Sequence, residues 1–289
     1  MRVFVTGAFG YVGGAVAALL EERGARLSVL VRDDVQTAAA EARGWQPVPG
    51  GLEAVAALAT AAGAAEAIVH AAASDDPRFL PVNEAAIDAM IGAARDGAGF
   101  VVHAGTLLFG PTGNRILDGT EPLQPPPFLA DRARLDARMM AAGARLRLSS
   151  VAAALVHGGT GAAVPRAMMT AARALGAVPV PPPGPQIWST VHVADWARLI
   201  VRALERGAVG SRRYVAAAGE TRIDAFAETL AGLMGLDTRP ADAAALSALG
   251  PFGAALQLDQ RFTGARAADE LGWAPTRTDL AAGLAELLS

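Results

Sequence analysis

The sequence contains no cysteine and no lysine, and among its 289 residues tyrosine occurs only at Tyr11 and Tyr214. The absence of cysteine excludes disulfides and thiolate metal sites, and it fits an expected cytoplasmic location. All 25 basic residues are arginines. No lysine side chain can therefore take part in the chemistry of this chain.

The chain also lacks any excess of positive charge. Charged residues make up 18% of the sequence and the net charge is -3, which excludes a basic surface for nucleic acid or for membrane lipids. No apolar run is long enough to span a bilayer, and the apolar start reads as a strand broken by glycines, not as a signal peptide. With 52% hydrophobic residues, we expect a folded protein with one large core, or a core plus a smaller lobe.

The first motif is an apolar strand over residues 3–6 that runs into a turn with glycines at positions 7, 10 and 13, followed by a predicted helix over residues 15–23. In such a turn the first glycine forms the bend, the second lets the backbone approach phosphates, and the third lets the helix pack on the strand. The helix N-terminus then faces an anion. The turn predicts a pyrophosphate site, although a tight connection that binds nothing remains the alternative. The expected cofactor-binding residues here are Gly7, Phe9, Gly10, Tyr11, Val12 and Gly13.

The residue after the second predicted strand indicates which dinucleotide binds. The strand over Arg26 to Val31 is followed by Arg32, where this fold places the residue that contacts the adenosine ribose. A guanidinium there suits the 2′-phosphate of NADP, whereas an acidic residue would suit NAD. Asp33 and Asp34 follow directly. The sequence therefore favours NADP(H) over NAD(H) without excluding NAD(H).

Strands alternate with helices along the first half of the chain, which predicts a doubly wound parallel sheet with a smaller, mainly helical C-terminal lobe. We expect residues 1–160, with 187–216 returning to them, to form the dinucleotide-binding domain. Residues 161–186 and 217–289 are expected to cap the substrate. A polar, proline-bearing stretch over 105–127 is a candidate active-site loop.

Taken together, the motifs resemble the extended and atypical short-chain dehydrogenase/reductases, the family of NAD(P)-dependent epimerases and dehydratases. The resemblance spans nearly the whole chain and rests on the glycine turn and on the segments 30–32, 70–73, 82–83, 108–110, 155–159, 191–195 and 270–275. It implies that the backbone near His70, Ala71 and Ala72 runs beside the cofactor. It also implies an oxidoreductase or a related enzyme with a small-molecule substrate, and a homodimer is a candidate assembly.

Two departures from the family concern the cofactor and the catalytic groups. The family commonly has Gly-Asp-Leu after its third strand, where the acid helps to hold adenine, but here the match is Gly50-Gly51-Leu52. Relatives use a tyrosine as general acid/base and a lysine four residues later. The matching positions here are Phe128, which has no titratable proton, and Arg132, which can bond the ribose but differs in shape. The usual catalytic pair is therefore absent.

Several residues are candidates to replace that pair. Thr106 falls near the family's Ser/Thr position and could orient a substrate oxygen, or it could make only a local turn bond. His157 is expected near the substrate pocket, whereas His103, at the end of a strand, is either a proton relay or a core histidine. We expect Asp195 to cap the following helix. Residues 74–76 either reach the nicotinamide end or cap a helix, and no spacing indicates a metal site.

These observations predict an NADP(H)-binding oxidoreductase that acts on a small carbonyl or hydroxyl-bearing molecule with non-standard catalytic residues. Two alternatives stay open at this point. One is a redox-silent isomerase or cyclase that uses the same pocket, and the other is a non-catalytic protein that senses NADP(H).

Overall fold

The computed structural model describes residues 1–72, 78–182 and 186–288. The strands in chain order are β1 (Arg2–Thr6), β2 (Arg26–Val31), β3 (Gln46–Pro49), β4 (Ala67–His70), β5 (Gly99–Gly105), β6 (Arg147–Ala153), β7 (Leu155–His157), β8 (Ala177–Val180), β9 (Ile187–His192), β10 (Gly210–Ala216), β11 (Gly219–Arg222) and β12 (Asp237–Pro240). The helices are α1 (Tyr11–Glu22), α2 (Asp34–Ala42), α3 (Val55–Ala64), α4 (Phe79–Ala93), α5 (Ala130–Ala141), α6 (Ala163–Leu175), α7 (Val193–Arg206), α8 (Ile223–Met234), α9 (Ala243–Ala248), α10 (Pro251–Ala255), α11 (Ala265–Leu271) and α12 (Leu280–Ala285).

The largest sheet contains seven parallel strands in the order β10-β6-β5-β4-β1-β2-β3. The strand order reverses between β1 and β4, and in such sheets the crevice at the carboxyl ends beside the reversal is where ligands bind. This arrangement confirms the predicted doubly wound α/β fold.

Alternating side chains of the central strands bury both faces of this sheet. Val3 and Val5 of β1 join the core that includes Leu20 of α1 and Leu199 of α7. Phe4 points to the opposite face, into the core formed with α3 and α4. Strands that are apolar on both faces are characteristic of a parallel sheet with helices on either side.

The first helix begins four residues earlier than predicted, at Tyr11 and not at Ala15. Gly10 is its N-cap, and Gly13 and Gly14 lie inside the helix despite their low helix propensity. The close packing at the turn accounts for this difference, since the helix must start directly after the bend. Within the described ranges, no helix has the length and apolar character that crossing a membrane requires.

The C-terminal part of the chain forms a second layer of structure. Strand β9 pairs with β7 and β11 in a three-stranded sheet, and β12 pairs with β8. The apolar core of this part includes Met168, Trp188, Phe226 and Leu256. Because β9 lies in the small sheet while β10 is the edge strand of the large one, residues 187–216 contribute to both sheets. The division into the two units given above stays a prediction.

The stretch over 105–127 begins with a 3₁₀ turn, Thr106–Phe109. It then runs along the C-terminal segment, where the Thr112 N–H donates to the Asp259 carbonyl and the Leu117 N–H to the Arg261 carbonyl, both at 3.0 Å. These backbone hydrogen bonds tie the stretch to the C-terminal part of the chain.

The cap of α7 is His192, and the prediction that Asp195 caps this helix is wrong. The Nδ1 atom of His192 accepts a hydrogen bond from the Ala194 N–H at 3.1 Å. Asp195 is fully buried in the first turn of the helix, where it accepts hydrogen bonds from the N–H groups of Thr276 and Arg277. The carboxylate is used by these two N–H groups and thereby anchors the C-terminal segment to α7.

Candidate functional site

The glycine turn brings three backbone segments into contact. Gly7 has a φ of 75°, and a Cβ there would lie 2.7 Å from the backbone of Ala71 and Ala72. A Cβ on Gly13 would lie 2.1 Å from the Gly7 carbonyl oxygen. Both positions therefore require glycine. Gly10 is exposed, and its N–H donates to the Gly7 carbonyl at 2.9 Å.

A polar cavity of about 840 Å³ lies beside this turn, within the usual size range of ligand sites. The first N–H groups of α1 have no partner inside the helix, and the positive end of the helix dipole favours an anion. The space that a Cβ on Gly10 would enter is open to this cavity. The residues present therefore fit the pyrophosphate of a dinucleotide. The polar cavity is lined by Gly7, Phe9, Gly10, Leu30, Arg32, Gln36, Gly50, Gly51, Leu52, Glu53, Ala71, Ala72 and Arg78.

Arg32 lies in the wall of the polar cavity, directly after β2. Its backbone N–H donates to the Gln36 side chain at 3.0 Å, and the guanidinium is exposed and makes no ion pair within the described ranges. Asp33 does not compete for the ribose, because its carboxylate caps α2 by accepting from the Gln36 N–H at 2.8 Å. The sequence left the roles of Arg32 and Asp33 open. In the structure, Arg32 lines the polar cavity and Asp33 caps α2.

Glu53 is a cavity residue that the sequence did not reveal. Both of its carboxylate oxygens lie about 2.5 Å from the point that a Cβ on Gly51 would occupy. Glu53 thus fills the space beside Gly51 with a carboxylate.

The segment after β4 passes close to the turn through its backbone. The Ala71 N–H donates to the Thr6 carbonyl at 3.0 Å, and the Ala72 N–H donates to Thr6 Oγ1 at 3.2 Å. The His70 ring does not enter the polar cavity. It is buried with Nδ1 2.8 Å from Thr6 Oγ1, and burial lowers its pKa to about 3. Ala71 and Ala72 therefore line the expected cofactor space, while His70 faces the neighbouring one. Residues 73–76, also singled out from the sequence, lie outside the described ranges.

A second cavity of about 290 Å³, the inner cavity, lies between the ends of β4 and β5 and helices α4 and α5. Arg132 enters this space, where its guanidinium lies 4.7 Å from the centroid of the Phe79 ring in a cation–π contact. Its lining residues are His70, Ala72, Phe79, Asn83, Val102, His103, Ala104, Gly105, Leu107, Leu108, Leu129, Arg132, Leu135, Asp136, Met139, Ser150 and Trp196. The carboxylate of Asp136 is paired with Arg213 at 2.6 Å.

Phe128 does not point into the cleft. Its side chain is 47% exposed, and it lines neither the polar nor the inner cavity. Phe128, which the resemblance pairs with the catalytic tyrosine of the family, is therefore a surface aromatic ring. Of the two altered family positions, only Arg132 reaches the site.

Neither tyrosine of the chain has a free hydroxyl group. The Tyr11 hydroxyl donates to the Gly158 carbonyl at 2.5 Å, and burial raises its pKa. Tyr214 lies on the edge strand β10, where its hydroxyl donates to Glu270 at 2.8 Å and burial raises its pKa to about 12. The hydrogen bond from Tyr11 to Gly158 holds the loop after β7 against the start of α1.

A third cavity of about 270 Å³, the lobe cavity, lies between the end of β5 and the C-terminal part of the chain. Thr106 is buried in its wall, and its hydroxyl makes no hydrogen bond within the described ranges. Val12 of α1 also lines this space, so the two predicted residues come together here. The lining residues are Tyr11, Val12, Ala104, Gly105, Thr106, Leu107, Ala153, Ala154, Leu155, Val156, Gly161, Ala163, Val164, Trp188, Trp196 and Phe252.

His157 does not face the lobe cavity, so its predicted role as a substrate contact is not retained. Its ring is buried, packs edge-on against His192 at 5.4 Å, and lies so close to α12 that a Cβ on Gly283 would meet Nδ1 at 2.0 Å. Nδ1 has no hydrogen-bond partner in the described part of the chain. The short strand β7 turns its neighbour Val156 toward the cavity and His157 away from it.

His103 lies in the wall of the inner cavity, edge-on to Trp196 at 5.7 Å. Burial and the nearby Arg132 lower its pKa to about 4. The ring is therefore neutral at pH 7 and serves there as a hydrogen-bonding group, not as an acid. Among the described residues, no group of three or more His, Asp or Glu side chains is placed to hold a metal ion.

The buried histidines make stability depend on pH. His70, His103 and His157 have pKa values lowered to about 3, 4 and 4, below the ~6.5 of an unfolded histidine. As pH falls through about 6.5, these histidines therefore bind protons in the unfolded chain but stay unprotonated in the folded chain. We expect the free energy of unfolding to drop by up to ~1.4 kcal/mol per pH unit for each histidine down to about pH 4.

Urea unfolding at about pH 7.5 and 5.5 measures this loss. In His157→Phe the loss should be smaller by about 1 kcal/mol, because one titrating ring is gone while a ring of similar shape stays. An equal loss in the variant and the parent would contradict the assignment of His157.

The parallel sheet, the glycine turn and the polar cavity at the reversal of strand order define a Rossmann-type α/β fold. Comparison with solved structures finds proteins of the same fold. A dTDP-glucose 4,6-dehydratase from Bacillus anthracis, in complex with NAD, superposes with a TM-score of 0.79 at 17% identity, covering 100% of this chain and 95% of that one. A UDP-glucose 4-epimerase from Brucella ovis, also in complex with NAD, gives 0.75 at 22% identity, covering 98% and 96%.

The sequence comparisons relate the N-terminal part of the chain to one family. Residues 3–126, less than half of the chain, match the model of the NAD dependent epimerase/dehydratase family. This match bears out the resemblance stated from the sequence for residues 3–126. An uncharacterised protein of Schizosaccharomyces pombe is 27% identical over 298 residues, covering 99% of this chain and 98% of its own length. A ketoreductase of Stigmatella aurantiaca, which acts on a farnesylated dihydroquinoline oxide by its name, is 32% identical over 136 residues, covering 44% of this chain and 41% of that one.

Proposed function

We propose that the chain is an NADP(H)-binding oxidoreductase that interconverts a carbonyl and a hydroxyl group on a small organic substrate. The observation that carries this proposal is the adjacency of the glycine turn to a buried, unpartnered hydroxyl. Ala72 lines both the polar and the inner cavity, and Gly105 lines both the inner and the lobe cavity. A ligand that begins at the glycine turn can thus end beside Thr106.

The cofactor proposal rests on the turn and on Arg32. NAD is bound in the dehydratase and epimerase complexes, which supports a nicotinamide dinucleotide here. The exposed guanidinium of Arg32 supports NADP(H), because it can form charge-assisted hydrogen bonds with a 2′-phosphate. When bound in its reduced form, such a cofactor supplies a hydride to the carbonyl carbon.

In this proposal Thr106 orients the substrate. Its Oγ1–H donates to the carbonyl oxygen and draws electron density from the carbon. Arg132 would take the place of the family lysine and hold the nicotinamide ribose, and Phe128 has no role in the chemistry. The proton that completes the hydroxyl group comes from water, because the hydroxyls of Tyr11 and Tyr214 are both bonded elsewhere.

The name of the Stigmatella relative lends support to the carbonyl chemistry, since a ketoreductase reduces a ketone to an alcohol. The matched segment is less than half of either chain, and it includes no direct evidence about the substrate of this one. The reaction type, not the substrate, is what this relative supports.

A panel of ketones and aldehydes incubated with the purified protein and NADPH tests the proposal. We expect loss of absorbance at the nicotinamide band, with formation of the alcohol in equal amount. Tight NADPH binding without oxidation by any member of a broad panel would overturn it.

We predict that Thr106→Val lowers kcat/KM for the reduced ketone by about tenfold or more, since it removes one hydrogen bond to the developing oxyanion. The dissociation constant of NADPH should stay unchanged, and Thr106→Ser, which keeps the hydroxyl, should retain most of the activity. Equal activity of the valine and serine variants would remove Thr106 from the mechanism.

The exposed position of Phe128 favours one second candidate, a redox-silent isomerase or cyclase of the same fold. Without a free tyrosine hydroxyl in the cleft, the cofactor would have a structural part and the substrate pocket would do the chemistry. Substrate conversion with constant nicotinamide absorbance would identify this activity, whereas equal amounts of alcohol and oxidised cofactor would exclude it.

A further inference from the structure

The wall of the lobe cavity is mainly apolar. Its lining is mainly aliphatic and aromatic, with Trp188, Trp196 and Phe252 as the largest side chains. Both indole N–H groups are already bonded inside the protein, Trp188 to the Leu258 carbonyl at 2.8 Å and Trp196 to the Val151 carbonyl at 3.2 Å. These rings therefore present carbon surfaces to the cavity and offer it no hydrogen bonds.

The remaining polar side chains of the wall are Tyr11 and Thr106. The Tyr11 hydroxyl is committed to the Gly158 carbonyl. Among the described lining residues, Thr106 is thus the one side chain with a free donor. A ligand in this space can satisfy one polar oxygen there and must be apolar elsewhere, because an unpaired buried polar group is costly.

The wall also contains no charged side chain among the described residues. The segments that the structure leaves out, 73–77, 183–185 and Ser289, contain neither arginine nor lysine. The nearest arginine of the lobe helix α6, Arg166, is exposed and donates to the Thr160 carbonyl at 2.8 Å. A diphosphate needs cationic forks to replace its water shell, and this cavity supplies none.

We propose that the lobe cavity takes an uncharged, largely apolar molecule with a single carbonyl or hydroxyl oxygen, such as a cyclic or terpenoid ketone, and excludes nucleotide sugars. This proposal rests on the proposed function, because it names the substrate class of that same site. It separates this chain from fold neighbours such as the dTDP-glucose dehydratase and the UDP-glucose epimerase.

Ligand binding to the complex of the protein with NADP⁺ tests the substrate class without any turnover. The probes are 2-decalone, an uncharged bicyclic ketone, and UDP-glucose, each followed by quenching of tryptophan fluorescence, since Trp188 and Trp196 line the cavity. We expect saturable binding of 2-decalone at or below roughly 0.1 mM and no binding of UDP-glucose at about 1 mM. UDP-glucose that binds and displaces 2-decalone would overturn the proposal, as would failure of 2-decalone to bind.

Val164→Thr keeps the shape of the wall and adds a hydroxyl to it, so it should weaken 2-decalone about tenfold. The matched control is Val55→Thr, an exposed valine at the start of α3, which should leave the binding constant unchanged. If both variants bind 2-decalone like the parent, the ketone occupies another site and the proposal fails.

The two proposals fail in distinguishable ways. If 2-decalone binds beside NADP⁺ but no ketone is reduced by NADPH, the substrate class stands and the oxidoreductase proposal fails. If NADPH is oxidised with a nucleotide sugar and not with apolar ketones, the oxidoreductase proposal stands and the substrate class fails.

Discussion

Replacing Gly13 with alanine is expected to lower the affinity for NADPH by at least about 100-fold. The new Cβ would lie 2.1 Å from the Gly7 carbonyl oxygen, inside any permitted contact distance. Because both partners are backbone in the turn, the helix must move away from β1, and its N–H groups leave the position that faces the polar cavity. The dissociation constant of NADPH, measured by calorimetry, reports this displacement directly.

Two further variants distinguish a specific loss of NADPH binding from a general loss of folding. Gly92→Ala lies inside helix α4 with open space around the new Cβ, so it should leave NADPH affinity unchanged. Gly10→Val adds a side chain on the exposed N-cap, where a Cβ is 3.3 Å from the Gly7 oxygen, and should block the phosphates in a folded protein. Undiminished NADPH binding by both turn variants would show that the turn is not the phosphate site.

The second large effect concerns the choice between the two dinucleotides. Arg32→Ala should weaken NADPH by about 100-fold and leave NADH nearly unchanged, because the 2′-phosphate is the one group that distinguishes them. A charge-assisted hydrogen bond is worth about 1.5–3 kcal/mol, which corresponds to this range. The ratio of the two dissociation constants is the quantity to measure.

Arg115→Ala is the matched control for Arg32→Ala, since Arg115 is an exposed arginine that lies outside the polar cavity. It removes the same net charge and should leave the ratio of NADPH to NADH affinity unchanged. An equal fall of NADPH and NADH affinity in the Arg32 variant would assign Arg32 to the adenosine in general, and the 2′-phosphate assignment would be wrong.

The fold was largely predictable because periodic apolar patterns decide it. Alternating strands and helices, together with the turn at positions 7, 10 and 13, were sufficient for the parallel doubly wound sheet. The starting point of α1 was not, because Gly13 and Gly14 have poor helix propensity and tertiary packing overrides it. Likewise, the motif around His192 and Asp195 was recognised, but which of them caps α7 depends on side-chain direction.

The candidate site divides in the same way. Positions whose role lies in the backbone, such as Gly7, Gly13 and Ala71, could be inferred from sequence order, because backbone position follows from the fold. Positions whose role depends on side-chain direction could not: His157 turns away from the cavity, and Phe128 turns to solvent. Glu53 was missed because its carboxylate lies beside Gly51, which is two positions earlier in the chain.

Calorimetric titration of the purified protein with NADPH, NADH, NADP⁺ and NAD⁺ tests the central claim most directly. The polar cavity, the free N-terminus of α1 and the exposed guanidinium of Arg32 predict binding of NADPH and NADP⁺ at least about tenfold tighter than of their counterparts without the 2′-phosphate. Absence of heat with all four dinucleotides would contradict the account, because the glycine turn would then bind no cofactor.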